Sequence, residues 1–139
     1  MSPDKNAERF ALKPRIEKLG VKRGQRVVLV NMTDEAFARE ITATGALVRG
    51  GRPPKRSDII FYGASSEKDL ARLERLKASL QPAGALWVIR PKGHPDISER
   101  AVMAAGKAAG LVDVKVVRFS ETHTALKFVI PLSLRPRDS

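Results

Sequence analysis

Cysteine is absent from the 139 residues and histidine occurs twice. Disulfides, thiolate zinc sites, iron–sulfur clusters and cysteine nucleophiles are therefore excluded. His94 and His123 stand alone, with no His-x-x-x-His or comparable ligand spacing, so no metal site is expected. Acidic residues are also scarce, 15 Asp and Glu against 26 Lys and Arg, for a net charge of +11. An acidic protein, a polyanion or an anionic small molecule is the expected kind of partner. Aromatics are few, five Phe with Trp87 and Tyr62, and most fall inside apolar runs where they serve a core. No apolar run approaches the roughly 18 residues of a membrane-spanning helix. The first ten residues are charged and lack the apolar centre of a secretion signal. These absences lead to the expectation of a soluble, cytoplasmic protein with no membrane partner.

The chain suits one domain over residues 1–139, with 42% apolar content. Its charge is concentrated. Residues 1–26 hold eight basic and three acidic side chains, residues 49–56 hold four basic and none acidic, and together they supply nine of the eleven excess charges. The body of the chain is nearly neutral. Basicity thus marks a leader, flexible over residues 1–8, and one Gly/Pro loop over 49–57.

Apolar positions at helical spacing, Phe10, Leu12, Ile16 and Leu19, predict a leading helix from Arg9 that Gly20 closes, with Pro14 near its first turn. Residues 27–31 form a short β-branched run, the mark of a strand buried on both faces. Thr33-Asp34-Glu35 then offers a cap and an acidic first turn for a helix to Ile41, with Ala36, Phe37 and Ile41 inward. Ala46–Val48 can form a brief second strand, and 49–56 is expected to be irregular. Asp58–Tyr62 is the next strand. Ser66 with Asp69 reads as a capping box for a helix whose apolar face is Leu70, Leu73, Leu76 and Leu80, stopped by Pro82. A strand follows at Ala85–Arg90. Asp96 and Glu99 bracket the start of a helix over Ile97–Ala109, with Gly110 as its left-handed cap. Val112–Phe119 and Ala125–Leu132 close the chain as a hairpin. Strand and helix alternate until this hairpin, which predicts an α/β fold in three layers: a mostly parallel sheet with one C-terminal antiparallel strand.

Two stretches, Leu80-Gln-Pro-Ala-Gly84-Ala-Leu-Trp-Val-Ile-Arg-Pro91 and Ala109-Gly-Leu-Val-Asp-Val-Lys-Val116, together with this element order, resemble the fifth and sixth strands of the Rossmann-like class I S-adenosylmethionine-dependent methyltransferases. One strand-helix unit of that fold is missing between Val48 and Asp58. The chain is similar more narrowly to a bacterial family, domain of unknown function 3052. Leu19-Gly-Val-Lys-Arg-Gly-Gln-Arg-Val27, Leu86-Trp-Val88, Pro91-Lys92 and Glu121-Thr-His-Thr-Ala-Leu-Lys-Phe-Val129 carry that match. In that family a Trp commonly stands where this chain has His123, and often where it has Arg90. The resemblance implies a fold and carries over no reaction.

A methyltransferase of this fold needs a glycine-rich turn after its first strand, so that backbone can approach the cofactor, and an acidic residue at the end of its second strand to accept from the ribose. Here the turn reads Asn31-Met32-Thr33-Asp34-Glu35-Ala36, and the second position reads Val48-Arg49-Gly50. The expectation is a methyltransferase-like binding domain with no cofactor and no methyl transfer. The alternatives are an atypical methyltransferase with Asn31 and Asp34 in the turn and Glu121 or Lys127 near the acceptor, and a nucleic-acid-binding protein. Asn31 and Asp34 read either as a polar site at the carboxyl edge of the sheet or as helix caps. Arg90 and Lys92, with His94, follow a strand onto that same edge and suit an anionic ligand. Arg49, Arg52, Lys55 and Arg56 suit phosphates, or are a solvated loop. Ser65 lacks the second glycine of a nucleophile elbow, and Gly106-Lys107 lacks the upstream glycine of a phosphate loop.

Overall fold

The computed structural model describes residues 14–135. The expected flexible leader, and the leading helix before Pro14, lie outside them. Within them the chain runs α1 (Arg15–Lys18), β1 (Arg26–Val30), α2 (Glu35–Ala43), β2 (Leu47–Gly50) and β3 (Ser57–Gly63). A 3-10 turn (Glu67–Arg72) then leads into α3 (Leu73–Lys77), β4 (Leu80–Pro91), α4 (Glu99–Ala108), β5 (Val112–Arg118), β6 (His123–Val129) and a last 3-10 turn (Leu132–Leu134). The six strands make one sheet in the order β2-β1-β3-β4-β6-β5. β2, β1, β3 and β4 are mutually parallel, and β6 alone runs against both its neighbours.

Alternation divides the strand residues between two cores. Val27, Leu29, Ile59, Phe61, Trp87 and Ile89 pack against Phe37 and Ile41 of α2. Val28, Val30, Ile60, Tyr62, Leu86 and Val88 pack against Leu73 and Leu76 of α3 and Val102 of α4. Burial on both faces is why these strands read as continuous apolar runs. α1 is held by Arg15, whose guanidinium donates to both Glu40 carboxylate oxygens at 2.6–3.2 Å and to the Phe119 carbonyl at 2.8 Å. The same guanidinium lies over the Phe37 and Phe119 rings, 4.9 and 4.5 Å from their centroids.

Several expected boundaries move. β2 continues through Arg49 and Gly50, because its ladder on β1 runs to the pair Leu29 and Gly50, so only 51–56 is irregular. Ala36 is exposed while Phe37 and Ile41 are buried. The helix expected from Ser66 to Leu80 starts as a 3-10 turn and ends at Lys77. Leu70, Leu73 and Leu76 repeat every three residues, the period at which side chains eclipse in a 3-10 helix. Ser66 makes no side-chain cap, and the Asp69 carboxylate instead accepts from the Ser65 amide at 2.9 Å. Leu80 already belongs to β4, where it pairs with Ser57. Pro82 sits in β4 rather than ending a helix, and it is tolerated there because the β3–β4 register shifts between Ser57 and Ile59, leaving Gln81–Gly84 as a bulge with no ladder donor required. The cap of α4 is Ser98, which accepts from the Ala101 amide at 3.0 Å, and not Asp96.

The connection from β2 to β3 shapes the rest. These strands are parallel with β1 between them, so the chain must pass over β1 and return about four residues along it. That path is about 16 Å, and residues 51–56 wound as a helix would advance only about 9 Å. The crossing is therefore a bare strap, held at its end by the Ser57 hydroxyl donating to the Pro54 carbonyl. The strand-helix unit missing from the sequence is missing here in space.

Gly106 lies in α4 where a Cβ would fall 2.2 Å from Phe128 Cε1, and Phe128 is fully buried. Gly106→Ala gains about 1 kcal/mol of helix propensity, yet overpacking of this kind costs about 1–3 kcal/mol. Chemical denaturation should show a net destabilised variant.

Candidate functional site

A cavity of about 540 Å³ opens at the carboxyl ends of β1, β3 and β4, the edge where open α/β sheets place ligands. Its polar groups are Asn31, Thr33, Asp34, Ser65, Ser120, Thr122 and His123, and its apolar floor includes Met32, Ile89 and Phe119.

Asn31 follows β1 directly, in the left-handed region with φ +56°. Asparagine tolerates that conformation because its short amide can bond locally, and here its Nδ2 donates to the Gly63 carbonyl at 2.7 Å. Gly63 is a glycine for a steric reason: a Cβ there would meet the Asn31 carbonyl oxygen at 2.6 Å. The ends of β1 and β3 thus close on each other with the glycine on β3 and the side chain on β1. Asp34 caps α2, its Oδ1 accepting from the Phe37 amide at 3.0 Å. Of the two residues readable as caps, only Asp34 is one.

The far wall is the turn between β5 and β6. Ser120 Oγ accepts from the amides of Thr122 at 3.2 Å and His123 at 3.1 Å, and the Thr122 hydroxyl lies 2.8 Å from His123 Nδ1. The Lys92 amide donates to the Thr122 carbonyl at 2.8 Å, tying this turn to the end of β4.

Asn31 and Asp34 are brought together; Arg90 and Lys92 do not join them. Arg90 alternates with Ile89 and Pro91, which line the cavity, and so points to the other face, where it is 8% exposed and its Nε donates to the Ile97 carbonyl at 3.2 Å. Lys92 is exposed and outside the cavity lining. His94 is also exposed, 3.9 Å from Asp96. Lys127 sits in mid-strand opposite Trp87, where burial first, and then Lys115 and Lys22, push its ammonium below the ordinary lysine value. No group of three His, Cys, Asp or Glu side chains converges among the described residues, and no helix among them is long and apolar enough to cross a membrane.

Sequence reasoning missed Gly63, Ser120, Thr122 and His123 as parts of the site. The signal present was small and polar residues at strand ends, Gly63-Ala64-Ser65 after β3 and the Ser120–Thr122 connection, both of which topology brings to one edge. The basic loop divides. Arg49 lies on β2, and Arg52 and Lys55 line a second cavity of about 620 Å³. Arg56, at φ +66°, is exposed beside it.

Asn31→Ala removes the amide bond and leaves a left-handed alanine, so a loss of about 2 kcal/mol is expected. Asn31→Gly keeps the conformation and should lose about half of that. Urea denaturation of the two variants separates strain from hydrogen bonding.

No protein-family model matches the chain, and no curated protein matches it. Solved structures do. A S-adenosylmethionine-dependent methyltransferase from Aquifex aeolicus is 18% identical, with a TM-score of 0.69, over 94% of this chain and 100% of that one. A TehB-like S-adenosylmethionine-dependent methyltransferase from Corynebacterium glutamicum is 10% identical, with a TM-score of 0.64, over 92% and 95%. The Burkholderia thailandensis 1,6-didemethyltoxoflavin-N1-methyltransferase is 14% identical, with a TM-score of 0.60, over 90% and 80%. The chain has the Rossmann-like α/β fold of S-adenosylmethionine-dependent methyltransferases.

Proposed function

We propose that this protein is a methyltransferase-like binding domain that performs no methyl transfer, and that the carboxyl-edge cavity takes a small polar ligand of neutral or positive charge. The observation that carries this is the donor set. Among the described residues one carboxylate, four hydroxyls, an imidazole and an amide line the cavity, with no Lys or Arg. An anion at this edge would need the cations of Arg90 and Lys92, and neither lines the cavity.

S-adenosylmethionine fits these residues poorly. The turn after β1 carries the side chains of Asn31, Met32, Thr33 and Asp34, so backbone cannot approach a ligand as a glycine turn can. β2 ends on Arg49 and Gly50, which offer no carboxylate to ribose hydroxyls, and no residue of β2 lines the cavity.

A second reading, S-adenosylmethionine-dependent methyl transfer, is favoured by one observation: the cavity lies at the carboxyl ends of β1 and β3, where this class of fold holds its ligands. In that reading Asn31 and Asp34 stand in for the glycine turn, with Glu121 beside the Ser120–Thr122 turn near the acceptor.

Calorimetry with S-adenosylmethionine and S-adenosylhomocysteine separates the two. The first reading expects dissociation constants weaker than about 1 mM; micromolar binding that Asp34→Asn abolishes would transfer support to the second. Amide NMR with a library of small amines, alcohols, carboxylates and phosphates tests the ligand class. Amines and alcohols should shift Asn31, Asp34 and Ser120 to His123, whereas shifts there from carboxylates or phosphates alone would overturn the charge assignment.

A further inference from the structure

We propose that the cleft between the 51–56 strap and α3 binds the phosphate backbone of a single-stranded nucleic acid. This is a second site, distinct in position and chemistry from the carboxyl-edge cavity.

The cleft exists because the strap is too short to hold a helix. Over β3 and β4 the sheet face is covered by α3 and α4, but toward β1 and β2 only the strap crosses it. Between strap and α3 lies the cavity of about 620 Å³, with Val30, Pro53 and Leu76 contributing apolar surface.

Four cations from three segments converge on it. Arg52 and Lys55 come from the strap, Arg72 closes the 3-10 turn and Arg75 lies in α3. Arg72 and Arg75 are three apart and therefore share a helix face, while Glu74 falls elsewhere, lining grooves against α4 and the C-terminal turn. No carboxylate among the described residues lines the cleft. The two ion pairs among the described residues, Arg15 with Glu40 and His94 with Asp96, involve none of the four cations. Arg72 is positioned by the Tyr62 ring, 5.6 Å from its centroid. Arg49 extends the positive charge along the sheet edge, since it pairs with Val28 and so shares the face that α3 covers.

Guanidinium groups with no carboxylate partner among the described residues, set over a partly apolar recess, suit a phosphodiester strand, whose phosphates they neutralise and on whose bases their planes stack. Stacking on guanidinium planes needs bases that are not paired inside a duplex, which favours a single strand, and α3, five residues long with Leu73 and Leu76 buried against the sheet, offers no helix to a groove. An acidic protein segment is the competing occupant.

Fluorescence anisotropy of the full chain with a labelled single-stranded oligonucleotide of about 20 nucleotides, titrated between about 50 and 200 mM salt, tests this. Any contribution of the basic residues before Val27 is common to all the variants, so the change in salt slope between proteins is what reports on the cleft. Arg72→Gln with Arg75→Gln should reduce the slope of log affinity against log salt by about 1.4, as should Arg52→Ala with Lys55→Ala. Lys107→Gln with Arg118→Gln, exposed cations outside the cleft, should change it by less than half as much. Circular dichroism melting checks that each variant folds, and because the two cleft pairs lie on different elements, one misfolded pair leaves the other to decide. Equal losses in the outside pair, unchanged slopes in a folded cleft pair, or stronger competition by polyglutamate or duplex than by unlabelled single strand would each overturn the proposal.

Discussion

The parallel ladder of β1, β3 and β4 holds every other element in place. Val27 to Val30 pair residue by residue with Ile59 to Tyr62, and Ile59 to Gly63 with Ala85 to Ile89. Nearly all these side chains are buried, on both faces at once. A sheet buried on both faces tolerates no register slip, because a shift of one residue would exchange the two cores. The consequence reaches the ends of the strands. With register fixed, the carboxyl ends of β1, β3 and β4 must finish together, and whatever follows each strand is delivered to one edge. The cavity is the space between those deliveries.

The close approach of β1 and β3 at that edge decides what the cavity can hold. One of two facing strand ends must give up its side chain for the carbonyl of the other to pass, and here Gly63 does so. That leaves the β1 end free to carry Asn31, whose amide bridges the gap. A glycine turn after β1 would put bare backbone toward a ligand; this arrangement puts amide, hydroxyl and carboxylate side chains there. The polar character of the site thus follows from which strand carries the glycine.

The fold was legible in the sequence because its signals were local and redundant: β-branched runs between turn residues, Gly110 after a helix, a polar connection before Ala125. The misreadings came from residues whose meaning depends on a partner strand. Pro82 stops a helix when read along the chain, but sits in a bulge once β3 is beside it. Arg90 follows a strand onto the carboxyl edge in sequence, yet which face it takes depends on the phase of an alternation that Ile89 and Pro91 share. Asp34 was readable in both of its senses, and it fills both, capping α2 and lining the cavity. The site's far wall was the hardest part to find, since Ser120, Thr122 and His123 meet Asn31 only through the insertion of β6 between β4 and β5.

Charge separates the molecule's two openings. Asn31 lines both the carboxyl-edge cavity and the basic cleft, so they are neighbours divided by one residue. Among the described residues, Asp34 lines one with no Lys or Arg, and Arg52, Lys55, Arg72 and Arg75 line the other with no carboxylate. Asp34 caps α2 on one face of the sheet, whereas Arg75 stands on α3 on the other, and the ladder between them keeps the two sets of charge apart. An anion entering the cleft meets four lining cations, and a cation entering the cavity meets a lining carboxylate and dipoles. The net charge of +11 is thus a poor guide to either site: the partition of charge about the end of β1 sets what each can accept.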